Sequence, residues 1–104
     1  MSLKADFIIS VHPGEILQML LDESDLTQTQ LAQHIKVTPS KISELCAGKR
    51  GVSAEMSVKL GMAFGQDPRF WLDGQQRWEL SKVDSSKIKI KKLVRSKLVG
   101  TRAA

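Results

Sequence analysis

The sequence predicts an all-α domain of five helices that contains a helix-turn-helix, and three observations support this. Thr27 to Arg50 reads as two short helices joined by a tight turn. Apolar residues recur at helical spacing in the segments around it. Helix start and stop signals bracket those segments. At 104 residues the chain suits one domain, small enough that a dimer interface would add materially to its stability.

The first helix opens at Pro13, where the missing N–H is harmless. It buries Ile16, Leu17, Leu20 and Leu21 and closes in the acidic loop from Asp22 to Asp25. Thr27 with Gln30 forms a capping box that opens the second helix, whose buried stripe is Leu31, Ala32 and Ile35. Thr38 then caps a third helix with Pro39 at its first position. Ile42, Leu45 and Cys46 face inward, and Gly48 supplies the left-handed stop. Ser53 caps a fourth helix, where Ser57, Leu60, Gly61 and Phe64 share a face whose small residues permit close helix contact, before Gly65 ends it. A fifth starts at Asp67-Pro68 and runs to about Lys82, with Phe70, Trp71, Gly74 and Trp78 on its apolar side.

The third helix carries the functional signal. Its outward face is Ser40, Ser43, Glu44 and Ala47, flanked by Lys41. Short polar side chains beside a capped N-terminus suit entry into a major groove about 12 Å wide. Thr38, Ser40, Lys41, Ser43 and Glu44 are the candidate base readers. Lys41 suits guanine O6 and N7, and Glu44 suits the cytosine N4 donor although it also repels phosphate. Gln28, Lys49 and Arg50 are the candidate phosphate contacts. The competing interpretation is an ordinary helical hairpin whose exposed face is merely soluble.

Charge refines this picture. The net charge is +5, but seven of the 16 Lys and Arg lie beyond residue 83. Residues 1–83 hold nine basic against ten acidic side chains, a balance of −1, and the remainder carries +6. DNA affinity in the helical part must therefore come from clustering of Lys41, Lys49 and Arg50 on one face.

Four blocks of sequence carry a family resemblance: His12-Pro13-Gly14-Glu15; Leu31-Ala32 with Val37-Thr38 and Ile42-Ser43; Gly48-Lys49-Arg50; and Phe70-Trp71-Leu72. Over residues 11–83 the chain resembles the HigA-type antitoxins, a branch of the phage-repressor-like helix-turn-helix family. The resemblance implies a protein that binds double-stranded operator DNA as a homodimer, represses its own operon, and neutralises a HigB-like, ribosome-dependent mRNA endonuclease toxin. A stand-alone transcriptional repressor without a toxin partner is the alternative. Two positions depart from the family pattern. Lys36 occupies the turn position usually held by glycine, and Asp73-Gly74 follows the Phe70-Trp71-Leu72 block where larger residues are usual; Gly74 implies a kink or a close helix contact.

Trp71 is expected in the core and Trp78 at a dimer interface, since tryptophan offers large apolar area with few rotatable bonds. Beyond Asp84-Ser85-Ser86, Ile88 and Ile90 alternate with lysines at strand spacing. The domain is accordingly divided into a DNA-binding unit at 1–83 and a basic extension at 84–104. A short strand around 87–92 is expected to pair across the homodimer, because a lone strand leaves backbone groups without partners. Ile90, Leu93, Val94 and Leu98 also fit a helix, and a basic arm on phosphate is a third option.

No catalytic residue, metal site or cofactor is indicated. His12 and His34 belong to no ligand or nucleophile pattern, and His12 is expected to cap or pack at the first helix. Cys46 sits at an inward position as a small core residue. No apolar run reaches membrane-spanning length and no signal peptide is recognisable, so a cytoplasmic location is expected. Phe7, Ile8 and Ile9 either dock on a partner or cover the protein's own core.

Overall fold

The computed structural model describes residues 11–94. Among them are α1 Pro13–Glu23, α2 Gln28–Ile35, α3 Pro39–Cys46, α4 Ala54–Phe64 and α5 Phe70–Ser81, followed by a single 3-10 turn at Ser85–Lys87. The five expected helices are present. α2 packs on α3 and α4, α1 on α3 and α5, and α4 on α5.

Local chemistry explains most of the helix ends. Thr27 Oγ1 accepts from Gln30 N at 3.0 Å while Gln30 Oε1 accepts from Thr27 N at 2.8 Å, which is the expected capping box. Ser53 Oγ accepts from Met56 N at 3.1 Å. His12 caps α1, its Nδ1 accepting from Gly14 N at 2.9 Å. At the C-terminal ends, α1, α2, α3 and α4 each turn through a left-handed residue: Asp25, Lys36, Gly48 and Gly65. The following N–H returns to the last helical turn, from Leu26 to Leu21 O, Val37 to Ala32 O, Lys49 to Glu44 O and Gln66 to Gly61 O. Lys36 thus adopts the geometry that glycine would supply, at φ 61°, and the cost of on the order of 1 kcal/mol is absorbed by the turn's hydrogen bonds.

Two helix starts differ from expectation. Thr38 occupies the cap position of α3, but its side chain makes no capping bond. Pro39 presents no N–H, and the Ser40 hydroxyl, 3.3 Å from Thr38 Oγ1, offers a competing partner. α5 begins at Phe70, because Asp67 and Pro68 form the turn before it. Asp67 Oδ1 accepts from Arg69 N at 2.8 Å, and Phe70 N donates to Asp67 O at 3.0 Å. That backbone hydrogen bond from Arg69 is the main reason the Asp67 carboxyl lies below the ordinary range.

The core joins Leu17 and Leu21 of α1, Leu31, Ala32 and Ile35 of α2, Ile42 and Leu45 of α3, Val52, Met56 and Leu60, and Trp71 of α5. Ile16, Leu20, Cys46 and Phe64 pack around it half-buried. The small residues of α4 permit the expected close contact with a second helix, the start of α5, and also with the loop that leads into it. Ser57 Oγ donates to Pro68 O at 2.6 Å and accepts from Leu72 N at 3.0 Å, and a Cβ at Gly61 would come within 3.1 Å of Gln66 O. They admit the backbone of the α4–α5 loop. Phe70 is exposed rather than apolar-side, edge-on to Trp71, while Gln75 is buried in its place. Trp78 is half-buried, because the His12 ring stands edge-on to it at 4.7 Å and Lys82 Nζ lies 5.4 Å over it.

One approach is closer than any side chain allows. A Cβ at Gly14 would overlap the Leu45 carbonyl oxygen, 2.6 Å from the carbonyl carbon and 3.0 Å from Cys46 Cα. The first turn of α1 therefore lies directly on the last turn of α3. At Gly74, by contrast, a Cβ would meet only Pro13 Cγ at 4.0 Å, so no close contact demands that glycine, and α5 runs through it unbroken.

Residues 88–94 form no strand and no helix within this chain. Ile88 is extended after the 3-10 turn, and Ile90 is exposed. Among the described residues no other strand is present to pair with one here, and a lone strand leaves its backbone groups without partners. Leu98 and the segment Phe7-Ile8-Ile9 lie outside the described residues.

Gly14→Ala is expected to destabilise the domain by at least about 2 kcal/mol, since backbone must shift to admit the methyl. Gly74→Ala, where the space exists, should be neutral or gain up to about 1 kcal/mol. Thermal midpoints of the two variants check this, and equal midpoints would count against the Gly14 contact.

His12 gives a pH signature. Burial pushes its pKa below the usual 6.5, opposed by Glu15. The unfolded chain then binds this proton at higher pH than the folded chain, so stability is full above 6.5 and falls as pH drops through the window below it. The denaturation midpoint should therefore fall as pH is lowered through the window beneath 6.5. His12→Asn, which keeps a capping acceptor, should flatten that part of the decline.

Candidate nucleic-acid interface

α3 is gripped on one side only. Ile42 and Leu45 are fully buried against α1 and α2, whereas Thr38, Ser40, Lys41, Ser43 and Ala47 are exposed and Glu44 is half-buried. A helix of eight residues is about 12 Å long, short enough to lie within a major groove. Ser40, Ser43 and Glu44 thus share the outward face of α3, while Thr38 and Lys41 lie on its flank, along the groove shared with Ser53 and Lys59.

The three candidate phosphate contacts are not equivalent. Lys49 is exposed, and among the described residues it forms no ion pair. Arg50 does: its Nε and Nη2 both donate to Glu44 Oε1, at 3.1 and 2.9 Å. Gln28 Nε2 donates to Gln18 Oε1 at 2.7 Å, and Gln18 Nε2 in turn donates to Asp22 Oδ1 at 2.8 Å. The Gln28 amide is therefore partly committed to α1, although the exposed N-terminus of α2 remains beside it.

Three features were not singled out from sequence. Lys36, Lys41 and Lys59 line one groove with Thr38 and Ser53, between the α2–α3 turn and the start of α4. Glu55 pairs with Lys59 at 3.3 Å. Lys59 carries no signal in sequence, and only the fold gathers it with Lys36 and Lys41. Gln75 is the second. Its Oε1 accepts from Val52 N at 3.0 Å, fixing the loop that carries Lys49 and Arg50 to α5. Its spacing of four from Trp71 places it on the inward stripe, which was the available signal. The third is the packing role of Gly14, known from sequence only as part of the His12–Glu15 block, which sets α3 against α1.

Among the described residues, no three His, Cys, Asp or Glu side chains gather where a metal ion would sit. Burial, with Asp22 adding to it, pushes the Cys46 thiol up to about 11, so it is protonated at neutral pH and poorly nucleophilic. No helix among the described residues is long and apolar enough to cross a membrane.

A capped helix pair with a left-handed turn, whose second helix is buried on one side and polar on the other, defines a helix-turn-helix protein. The helix-turn-helix family model matches residues 17–71, and the chain belongs to that family. It is 34% identical over 74 residues to the HTH-type transcriptional regulator YddM of Escherichia coli K12, covering 71% of this chain and 79% of that one. Among solved structures it is similar to the Pseudomonas aeruginosa antitoxin HigA with the higBA promoter, at a TM-score of 0.74 and 30% identity over 82% of this chain and 99% of that chain. It is also similar to an addiction module antidote protein of a HigA family from Coxiella burnetii, at a TM-score of 0.64 and 30% identity, covering 68% and 78%.

Gln75→Leu should leave the buried Val52 N–H without a partner and cost about 1–3 kcal/mol. Denaturant midpoints measure the loss. Amide exchange at Val52 should accelerate selectively, and unchanged protection there would remove Gln75 as the brace of this loop.

Proposed function

We propose that this chain is the antitoxin of a type II toxin–antitoxin module. As a homodimer it binds a palindromic operator through α3, represses its own operon, and binds and neutralises a HigB-like mRNA endonuclease. The observation that carries the DNA half is α3 itself, held by Ile42 and Leu45 on one side and presenting Thr38, Ser40, Lys41 and Ser43 on the other. The similarity to a HigA solved with promoter DNA, over nearly the whole of that chain, supports it.

The mechanism follows from this geometry. Thr38, Ser40, Lys41, Ser43 and Glu44 read base edges, with Lys41 on guanine. Lys49 and the N-terminus of α2 at Gln28 hold phosphates. One helix of this length reads few base pairs, so two protomers on half-sites about one DNA turn apart are needed. Trp78 and the exposed Leu80, Val83, Ile88 and Ile90 supply the apolar surface for that dimer, and pairing of residues 87–92 across it gives the extended segment a strand partner. The basic extension at 84–104 adds unspecific phosphate attraction to the unit at 1–83. Such a protein works in the cytoplasm.

A second reading, a stand-alone repressor, is favoured by the similarity to YddM, whose name is that of a transcriptional regulator. Titration of DNA upstream of the protein's own reading frame, and co-purification with the protein encoded beside it, test both halves. Lys41→Ala should lose about 1–3 kcal/mol on the operator with little change on scrambled DNA, whereas Lys49→Ala should weaken both and lower the salt slope by about 1. Equal weakening of both DNAs by Lys41→Ala would overturn base reading. Stoichiometric recovery of a small basic neighbour supports the antitoxin, and recovery of the dimer alone leaves the repressor.

A further inference from the structure

We infer that Arg50 determines operator specificity through Glu44, by holding the Glu44 carboxylate to read a cytosine, and is not itself a phosphate contact. This rests on the DNA-binding reading above and assigns one base pair of the half-site.

The pair spans the end of the recognition helix. Gly48 turns through φ 76° and Lys49 N bonds back to Glu44 O at 2.8 Å, which folds the chain beyond α3 alongside its last turns. Arg50 is thereby returned to Glu44, six residues earlier, while its neighbour Lys49 stays unpaired among the described residues. One turn thus separates the two adjacent cations into different tasks.

The geometry of the pair is one-sided. Both guanidinium N–H groups converge on Oε1, at 3.1 and 2.9 Å, and among the described residues no donor reaches Oε2. A carboxylate with one oxygen anchored and the other open suits a single exposed donor; the major groove offers cytosine N4 and adenine N6, and because adenine sets its N7 acceptor beside N6, where it repels a carboxylate, the fitting donor is cytosine N4. Charge points the same way. A bare carboxylate on a helix bound for the groove would be repelled by phosphates on either side, and a guanidinium in contact removes most of that repulsion locally. Stability gives no competing reason for the pair: with side-chain exposures of 43% and 45%, such a surface ion pair adds little to folding.

The test is selection from an operator library randomised across the half-site, combined with salt titration, for the wild type, Arg50→Ala, Glu44→Gln and the double variant; their thermal midpoints should agree. The wild type should prefer cytosine at one position by roughly tenfold. Arg50→Ala should lose most of that preference and keep the wild-type salt slope. Glu44→Gln should move the preference toward adenine, which glutamine reads, and the double variant should show no cytosine preference. If Arg50→Ala retains the cytosine preference, or lowers the salt slope by about 1 per protomer as a phosphate contact would, the inference is wrong. Failure of the wild type to select any sequence would instead overturn the DNA-binding reading, and this inference with it.

Discussion

The contact between Gly14 and the Leu45–Cys46 backbone is the constraint on which the rest of the structure depends. It sets the first turn of α1 against the last turn of α3 at backbone distance, with no side chain between. The residues around Gly14 serve that contact. His12 caps the helix through the Gly14 N–H and is itself covered by Trp78, and Pro13 starts α1 without leaving a donor unpaired. From that fixed point Leu17 and Leu21 reach the common core, where Ile42 and Leu45 meet them from α3. The HPGE block reads as a docking device for the recognition helix, which explains why a segment so far from α3 in sequence carries the family resemblance.

A second brace acts from the opposite side. Gln75 takes hold of Val52, and Ser57 ties the α4–α5 loop to α5 through Pro68 and Leu72. Both are buried polar side chains, Ser57 Oγ both donating and accepting and Gln75 Oε1 accepting, which makes them specific rather than strong: each net bond contributes only about 1 kcal/mol, but an unpaired group would cost more. The loop bearing Lys49 and Arg50 is consequently held at both ends, by the Gly48 turn and by Gln75. That order is what allows adjacent cations to be directed differently.

Features determined by neighbours in sequence were legible, and those determined by tertiary approach were not. The Thr27–Gln30 box, the Ser53 cap, the Gly48 and Gly65 stops and the stripes through Leu17, Leu31, Ile42 and Leu60 all follow from local spacing. Thr38 misled because a cap signal says nothing of a rival hydroxyl two residues on. Asp67-Pro68 misled because a turn and a helix start use the same residues. The Glu44–Arg50 pair spans six residues, outside any helical register, so no periodicity reveals it. The alternation from Lys87 to Lys91 has the period of a strand, but period alone supplies no partner, and the described residues hold no other strand.

The way α3 is held also separates folding from recognition. Its anchors are the apolar side chains of Ile42 and Leu45 and backbone atoms at Leu45 and Cys46. Ser40, Lys41 and Ser43 contribute to neither, and Glu44 contributes its carbonyl to the helix end whatever its side chain. Substitutions on the outward face are therefore expected to cost the fold little, which is where the proposed base readers sit, whereas the inward face and Gly14 tolerate almost none. A helix mounted through its backbone is free to vary in its outward side chains, and in a helical unit whose charges nearly cancel, the DNA reading proposed above has to draw its selectivity from the placement of those few side chains rather than from bulk attraction.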